Sequence, residues 1–599
     1  MLKTLAGQVK EFKWPSILTP VMMVLEVIME MVIPLLMASI IDNGVEKGDM
    51  NHILRVGGLM IVAALFGLLF GLLGGAFGAR ASTGFARNLR MTMFENIQTF
   101  SFANIDKFST AGLVTRLTTD VTNLQMAYQM ILRMFVRAPI SLIVAMSMSF
   151  YISSRLATVY LVAVVVLAFF LVLIMSRVTG YFRQVFEKYD DLNASVQENV
   201  TGIRVVKAYV RENYERDKFK KASANLYRMF IKAEKTLTWN MPIMMSTVYT
   251  CILLISWLGA KMIVQNELTT GELMSMLAYC MNILMSLMMM SMVFVMVTMS
   301  YASAKRISEV LNEKSSLTNP EHPDYEIPDG SISFEHVNFR YRQESENNVL
   351  KDVTLEIKSG ETIGLIGGTG SSKSTLISLI SRLYDVNDGC VRVGGKDVRT
   401  YDLDTLRRQV AVVLQKNVLF SGTILENLRW GDADATEEEC IHAAKLACAD
   451  EFISQFPDGY NTYIEQGGTN VSGGQKQRLC IARALLRKPR VLILDDSTSA
   501  VDTATDARIR RAFREEIPGT TKIIISQRIS SVMDADRILV LEDGQVNGFG
   551  THEELLENND IYREIYESQM NAGGDFDETP GNFDAAYRDA DFDAAGGEN

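Results

Sequence analysis

Cysteine is scarce in this chain: six residues in 599, at Cys251, Cys280, Cys390, Cys440, Cys448 and Cys480. None forms a Cys-x-x-Cys pair and two lie inside apolar runs, which excludes a disulfide framework or a paired-cysteine zinc site and leaves buried or cytosolic free thiols. An excess of positive charge is also missing. The net charge is −11, the wrong sign for a nucleic-acid partner, and residues 575–599 alone hold eight acids and one arginine, so most of that charge belongs to the tail. Proline is absent from residues 80–133 and 177–235, which leaves both stretches free to run as long helices.

What the chain has in quantity is apolar sequence, and it is segregated. A positive mean hydropathy beside 22% charged residues requires the two kinds to be separated along the chain, and 599 residues are too many for one ordinary domain. Apolar runs at about 15–41, 56–79, 134–154, 156–176, 241–263 and 274–300 predict six membrane spans. The first is too long for a signal-peptide core and no small-residue cleavage site follows, so it is expected to be retained. The Lys/Arg-rich stretches 80–133 and 177–235 are expected on the cytoplasmic side and the short connectors 42–50 and 265–272 outside, which puts both termini in the cytoplasm. Val196, Val200, Ile203 and Val206 keep helical spacing through the second long stretch. Segments around Thr115 and Tyr209 interrupt these helices at their far ends and are placed to touch a cytoplasmic domain.

The texture changes after residue 312. Residues 313–330 carry Pro320, Pro323 and Pro328 and read as a linker. Beyond it, β-rich runs at 363–366, 410–414, 491–494 and 522–525 alternate with helical patterns, the mark of a parallel α/β core over 331–570. Residues 571–599 repeat Phe-Asp-Ala-Ala and Asp-Phe-Asp and are expected to be a disordered acidic tail.

The α/β part holds the chemistry. Gly364-Leu-Ile-Gly367-Gly368-Thr369-Gly370-Ser371-Ser372-Lys373-Ser374-Thr375 follows an apolar strand and opens a helix. A phosphate chain needs converging backbone N–H groups, a helix N-terminus, a lysine for the β and γ phosphates and a hydroxyl for magnesium, and all are here. Ser372 replaces the glycine usual before the lysine. Further on come Val471-Ser472-Gly473-Gly474-Gln475 and, about 20 residues later, the strand Val491-Leu-Ile-Leu494-Asp495-Asp496.

In order and spacing these motifs resemble the ABC transporter family, and with the six preceding spans the resemblance covers residues 1 to about 570. It is closest to exporter half-transporters, in which two chains sandwich two ATP molecules, each between the phosphate loop of one chain and the signature of the other. The implied fold is an all-α six-helix transmembrane domain followed by an α/β P-loop nucleotide-binding domain, the type I exporter (type IV) architecture, with ATP and Mg2+ as cofactors. The resemblance implies that Tyr341 stacks on adenine and that Gly367 to Thr375 hold the phosphates. Magnesium falls to Ser374, Gln415 and the Walker B residue Asp495, with Gln415 also contacting the membrane domain. Ser472, Gly473, Gly474 and Gln475 would clasp the γ-phosphate of the opposite site, and Ser499-Ala-Val-Asp502 would link the two sites.

Two departures from the family pattern coincide. Asp496 stands where a glutamate usually orients the attacking water, and Gln527 where a histidine usually holds the γ-phosphate. Aspartate is one methylene short, and glutamine carries no proton to share. This site is expected to bind ATP and cleave it slowly, while its signature is intact for a partner. The pattern resembles the degenerate-site subunit of heterodimeric multidrug exporters, which implies a partner half-transporter with glutamate and histidine at the two positions. The expected activity is ATP-driven efflux of hydrophobic or amphipathic compounds from a bacterial plasma membrane. A homodimer with a serviceable aspartate, a lipid exporter and a nucleotide-sensing regulatory subunit are the alternatives.

Weaker signals lie in the spans. Glu26 and Glu30 share a helix face and read either as a site for cationic substrate or protons, or as carboxyls that pack helices together. Ten methionines between Met274 and Met299 suit either an adaptable apolar cavity or a lipid-facing surface. Arg133 and Arg137 read as interfacial anchors, as do Trp14 and Trp239.

Overall fold

The computed structural model describes residues 1–341, 347–497 and 500–571. The chain divides into two compact units: Met1–Thr99 with Ser109–Glu313, and Phe100–Phe108 with the chain from Lys314 onward. Ser499 and the acidic tail from residue 572 lie outside the described residues.

The first unit is helical. Six of its helices are long and apolar enough to cross a membrane: Leu2–Val45, Met50–Gln98, Thr110–Ile152, Ser154–Phe182, Glu212–Val264 and Thr270–Asn312. Their starts are written in the sequence. The Asp49 carboxylate accepts from the N–H groups of Asn51 and His52, the Ser153 hydroxyl from that of Leu156, and Thr269 and Glu272 form a reciprocal capping box. Met50–Gln98 has 49 residues, about 74 Å of helix at 1.5 Å per residue, more than twice an apolar bilayer core of roughly 30 Å. Its apolar half leaves Leu59, Ile61, Leu65, Leu68 and Leu72 more than half exposed, as lipid-facing side chains are.

Val27, Met31, Tyr160, Met276, Tyr279 and Ile283 lie in the interior of this unit. The two buried phenols are satisfied by main-chain carbonyls, Tyr160 Oη by Met276 at 2.7 Å and Tyr279 Oη by Met31 at 2.8 Å. Buried Asp120 accepts from Arg306 Nε at 2.7 Å and from Ser303 Oγ at 2.8 Å. The methionines divide: Met276 is buried and Met288 packs on the interior, while Met274, Met285, Met292 and Met299 are exposed.

Arg137 is no interfacial anchor. Its guanidinium forks across both carboxylates of the first span, at 2.5 Å to Glu26 Oε1 and 2.8 Å to Glu30 Oε2. The acids one turn apart meet the two ends of one planar cation, which is the helix-packing arrangement.

The second unit is built on three sheets among the described residues. The strands are β1 Ile332–Phe339, β2 Leu350–Ile357, β3 Thr362–Ile366, β4 Asp388–Val393, β5 Lys396–Asp397, β6 Val410–Val413, β7 Gly422–Thr423, β8 Tyr463–Ile464, β9 Val491–Asp495, β10 Thr521–Ile525, β11 Arg537–Glu542 and β12 Gln545–Gly550. The antiparallel sheet runs β2-β1-β4-β5, the main sheet β12-β11-β3-β10-β9-β6, and β7-β8 is a short pair. In the main sheet β11, β3, β10, β9 and β6 are parallel. Strands β9 and β10 are buried on both faces, as a covered parallel sheet requires. Alternate residues serve two cores: Leu492, Leu494, Ile524, Ile538 and Val540 one, and Val491, Ile493, Ile523, Leu539 and Leu541 the other.

This unit also takes in Phe102–Phe108, a helix from between the second and third spans. Asp106 accepts from Tyr384 Oη at 2.7 Å, the Phe102 and Tyr384 rings lie 6.2 Å apart, and Asn104 bonds the main chain of Lys314 and Ser316. Burial raises the Tyr384 phenol above its ordinary value, and the Asp106 carboxylate adds to the rise. The segment grouped with the α/β unit therefore lies upstream of the one expected around Thr115, which belongs to the helical unit. At the second expected segment, the short helix Ile203–Ala208 ends in exposed Tyr209 and Val210.

Candidate nucleotide site

Parallel strands point their carboxyl ends one way, and the loops leaving those ends form the crevice where an α/β sheet takes its ligand. Here β3 delivers Gly367, β6 Gln415, β9 Asp495 and Asp496, and β10 Gln527. Four stretches separated in sequence reach one edge because their strands are neighbours.

The loop after β3 is shaped for close approach. Gly367 has φ 156°, and a Cβ there would stand 2.2 Å from the Leu541 carbonyl oxygen, so no other residue fits. Gly368, Thr369 and Gly370 are exposed at the tip and Ser371 is buried beneath it. Ser372, at φ 74°, turns the chain into the helix Lys373–Ile380. That left-handed conformation is the one its missing glycine would adopt freely. Lys373 Nζ donates to the carbonyls of Gly367 at 2.8 Å and Gly368 at 2.9 Å and to Ser371 Oγ at 3.2 Å, so the cation sits inside the loop. Burial holds this lysine below its ordinary value, against the pull of Asp495 and Asp496.

Ser374 Oγ donates to Asp495 Oδ1 at 3.2 Å, a hydroxyl and a carboxylate side by side. Burial raises Asp495 above the usual carboxylate range, opposed by that hydrogen bond. A divalent cation with oxygen ligands would reverse the shift, so the donor set suits magnesium. Gln415 Nε2 lies 3.4 Å from Asp496 Oδ2. Asp496 itself is left-handed, φ 47°, and its N–H donates to the Ile525 carbonyl at 3.1 Å, which ties the end of β9 to the end of β10 two residues before Gln527. Aspartate tolerates that backbone region better than glutamate.

Tyr341 Oη is 2.9 Å from Thr375 Oγ1, and its ring stands edge-on to Phe339 and Tyr384 and is about half exposed. The signature residues serve a different place. Ser472 caps the helix Gly473–Leu485 and Gln475 returns the bond to the Ser472 N–H at 2.9 Å. A Cβ on Gly474 would stand 2.7 Å from the Ala500 carbonyl oxygen, and the Ala500 N–H donates to Gln477 Oε1 at 3.0 Å. The Gly474 carbonyl accepts from Arg478 Nε at 3.4 Å, within the same helix. Asp502, beyond Ala500, caps the helix Thr503–Glu516. No motif singles out Gln569, whose side chain bonds the Gln527 main chain.

Sequence and fold are both similar to those of known transporters. Residues 16–288 match the family model for an ABC transporter transmembrane region and residues 350–499 that for an ABC transporter. The chain is 38% identical to the ABC transporter ATP-binding protein YfiB of Bacillus subtilis, over 92% of this chain and 96% of that one. It is 34% identical to the mitochondrial potassium channel ATP-binding subunit of Rattus norvegicus, over 81% of this chain and 68% of the rat protein. Its fold is similar to that of a bacterial Atm1-family ABC exporter solved with ATP bound, at TM-score 0.81 and 23% identity over 93% of this chain and 99% of the other. The chain belongs to the ABC transporter family, as an exporter-type half-transporter that joins a multi-pass membrane region to an ATP-binding domain. That domain implies ATP hydrolysis coupled to transport.

Proposed function

We propose that this chain is the slowly hydrolysing half of a heterodimeric exporter of hydrophobic or amphipathic compounds. One observation carries the reading. Asp496 and Gln527 follow adjacent strands joined by the Asp496 N–H to Ile525 bond, which supports reading both departures from the family pattern at one end of the sheet. In this reading Tyr341 stacks on the base and the loop Gly367 to Ser372, with Lys373, Ser374 and Thr375, holds the phosphates. Ser374, Gln415 and Asp495 would hold magnesium, which when bound would neutralise charge on the phosphate oxygens. Asp496 stands too far back to orient water, and Gln527 offers the terminal phosphate a neutral amide. The partner half-transporter brings glutamate and histidine to the other site, where Ser472, Gly473, Gly474 and Gln475 of this chain close over its ATP. Closure drives alternating access of the spans, with both termini on the cytoplasmic side of the plasma membrane.

The test is ATPase activity of the purified chain, alone and with a partner half-transporter. Slow turnover alone is expected, and the double variant Asp496→Glu, Gln527→His should raise it by on the order of a hundredfold. Brisk turnover by the unaltered chain with copies of itself would overturn the two-subunit reading. A second reading, a subunit that senses nucleotide for a neighbouring membrane protein, draws support from the name of the rat relative. ATP-dependent dye uptake into inverted vesicles separates the two, since a sensor alone accumulates nothing.

A further inference from the structure

The helix Asp560–Asn571 ends against the loop that carries Gln527. Gln569 spans that loop: its Nε2 donates to the Gln527 carbonyl and its Oε1 accepts from the Ile529 N–H, both at 2.8 Å. One side-chain amide thus pairs with the main chain on either side of Arg528, in the way a neighbouring strand would. Glutamine fits because donor and acceptor share one plane; a carboxylate lacks the donor and an aliphatic chain lacks both.

The helix that presents Gln569 is itself fixed. Tyr562 is fully buried and its Oη lies 2.7 Å from His552 Nδ1, while Ile565 and Tyr566 pack on the core. Arg563 donates to the carbonyls of Leu556 and Glu557, each at 2.8 Å. From the opposite side, Ser526 Oγ accepts from the Arg528 N–H at 2.9 Å. The segment bearing Gln527 is held between the sheet and a helix 42 residues further along the chain.

We propose that Gln569 is a positioning residue for the γ-phosphate side of the nucleotide site. It fixes the main chain at Gln527 and Ile529, so that only the Gln527 side chain remains to be ordered when its amide meets a terminal phosphate. The inference rests on the reading that Gln527 occupies the γ-phosphate position. Pre-positioning matters more for a glutamine than for the histidine of the family pattern: the neutral amide's hydrogen bond is short-ranged, and its side chain has more rotors to immobilise. Because ADP has no γ-phosphate, the effect is confined to ATP.

The test uses the full-length chain in lipid nanodiscs with magnesium, a slowly hydrolysed ATP analogue and ADP. Gln569→Ala and Gln569→Glu should each weaken binding of the ATP analogue by roughly fivefold, the scale of one lost hydrogen bond, and leave ADP affinity unchanged. Gln527→Ala should have the same selectivity, and adding Gln569→Ala to it should cost nothing further, because the second residue acts through the first. Equal weakening of both nucleotides, which a purely structural anchor would give, overturns the inference, as does no change in either. If Gln527→Ala is selective for the ATP analogue and Gln569→Ala is not, only the positioning role falls. If Gln527→Ala is itself without effect, the γ-phosphate reading of Gln527 falls together with it.

Discussion

Ser372 and Asp496 are both left-handed residues at the candidate nucleotide site, and each was read from the sequence as a change from the residue expected there, with a different backbone consequence. Serine pays a steric cost in that region which glycine avoids, partly offset by glycine's greater freedom in the unfolded chain. Ser372→Gly should therefore raise the thermal stability of the ligand-free protein, by no more than about 1 kcal/mol. A fall in Tm would show that the hydroxyl matters more than the backbone. At Asp496 the direction reverses: Asp496→Glu extends the carboxylate toward the phosphates but puts a residue less suited to φ 47° at the end of β9. Its ATPase should rise while its Tm falls slightly, a split that scanning fluorimetry and a phosphate-release assay read together. Both residues were read in the sequence as departures from the pattern it resembles, because phosphate chemistry limits which residue types stand at which spacing. Their backbone angles were not; that of Asp496 goes with an N–H bond to the Ile525 carbonyl at the end of β10, which no local spacing announces.

Between elements, charge pairs do the joining, and their partners were invisible beforehand. Arg137 reaches Glu26 and Glu30 from more than 100 residues away, and no local spacing announces that. Arg137→Met strands two carboxylates among apolar helices and should lower stability by several kcal/mol, whereas adding Glu26→Gln and Glu30→Gln should recover most of the loss. If the triple variant is no better than Arg137→Met, the acids have a task other than pairing, and transport of cationic against neutral dyes would show it. In the α/β unit, Arg537 at the start of β11 grips Glu361, just before β3, with Nε to Oε1 at 2.5 Å and Nη2 to Oε2 at 2.6 Å. Burial pushes Glu361 up, but Arg537 and the Lys358 N–H outweigh it and hold the carboxyl below its ordinary value. A carboxyl held low stabilises the fold above its unfolded pKa and loses that contribution as pH falls through the folded value. Glu361→Gln should thus be less stable than the parent near pH 7, and the gap should close in acid. A pH-independent gap in chemical denaturation would mean that the pair contributes packing and not charge.

For the molecule as a whole, the sequence announced six spans and an α/β unit, because hydropathy and strand–helix alternation are local signals repeated many times. It did not announce that Phe102–Phe108 counts with the α/β unit, since a short helix of ordinary composition looks alike wherever it packs. A fragment made of residues 314–571 alone lacks that helix and leaves Tyr384 without Asp106. Its Tm should lie below that of the same fragment mixed with a peptide of residues 100–108, and no shift on mixing would place the helix's allegiance elsewhere.

That shared piece also has a place in time. Asp106 precedes Tyr384 by 278 residues, so at 5–20 residues per second the segment is synthesised roughly 14–56 s before its seat. For that interval the loop between the second and third spans is a free end of an unfinished domain, and anything that slows elongation through the linker lengthens its wait.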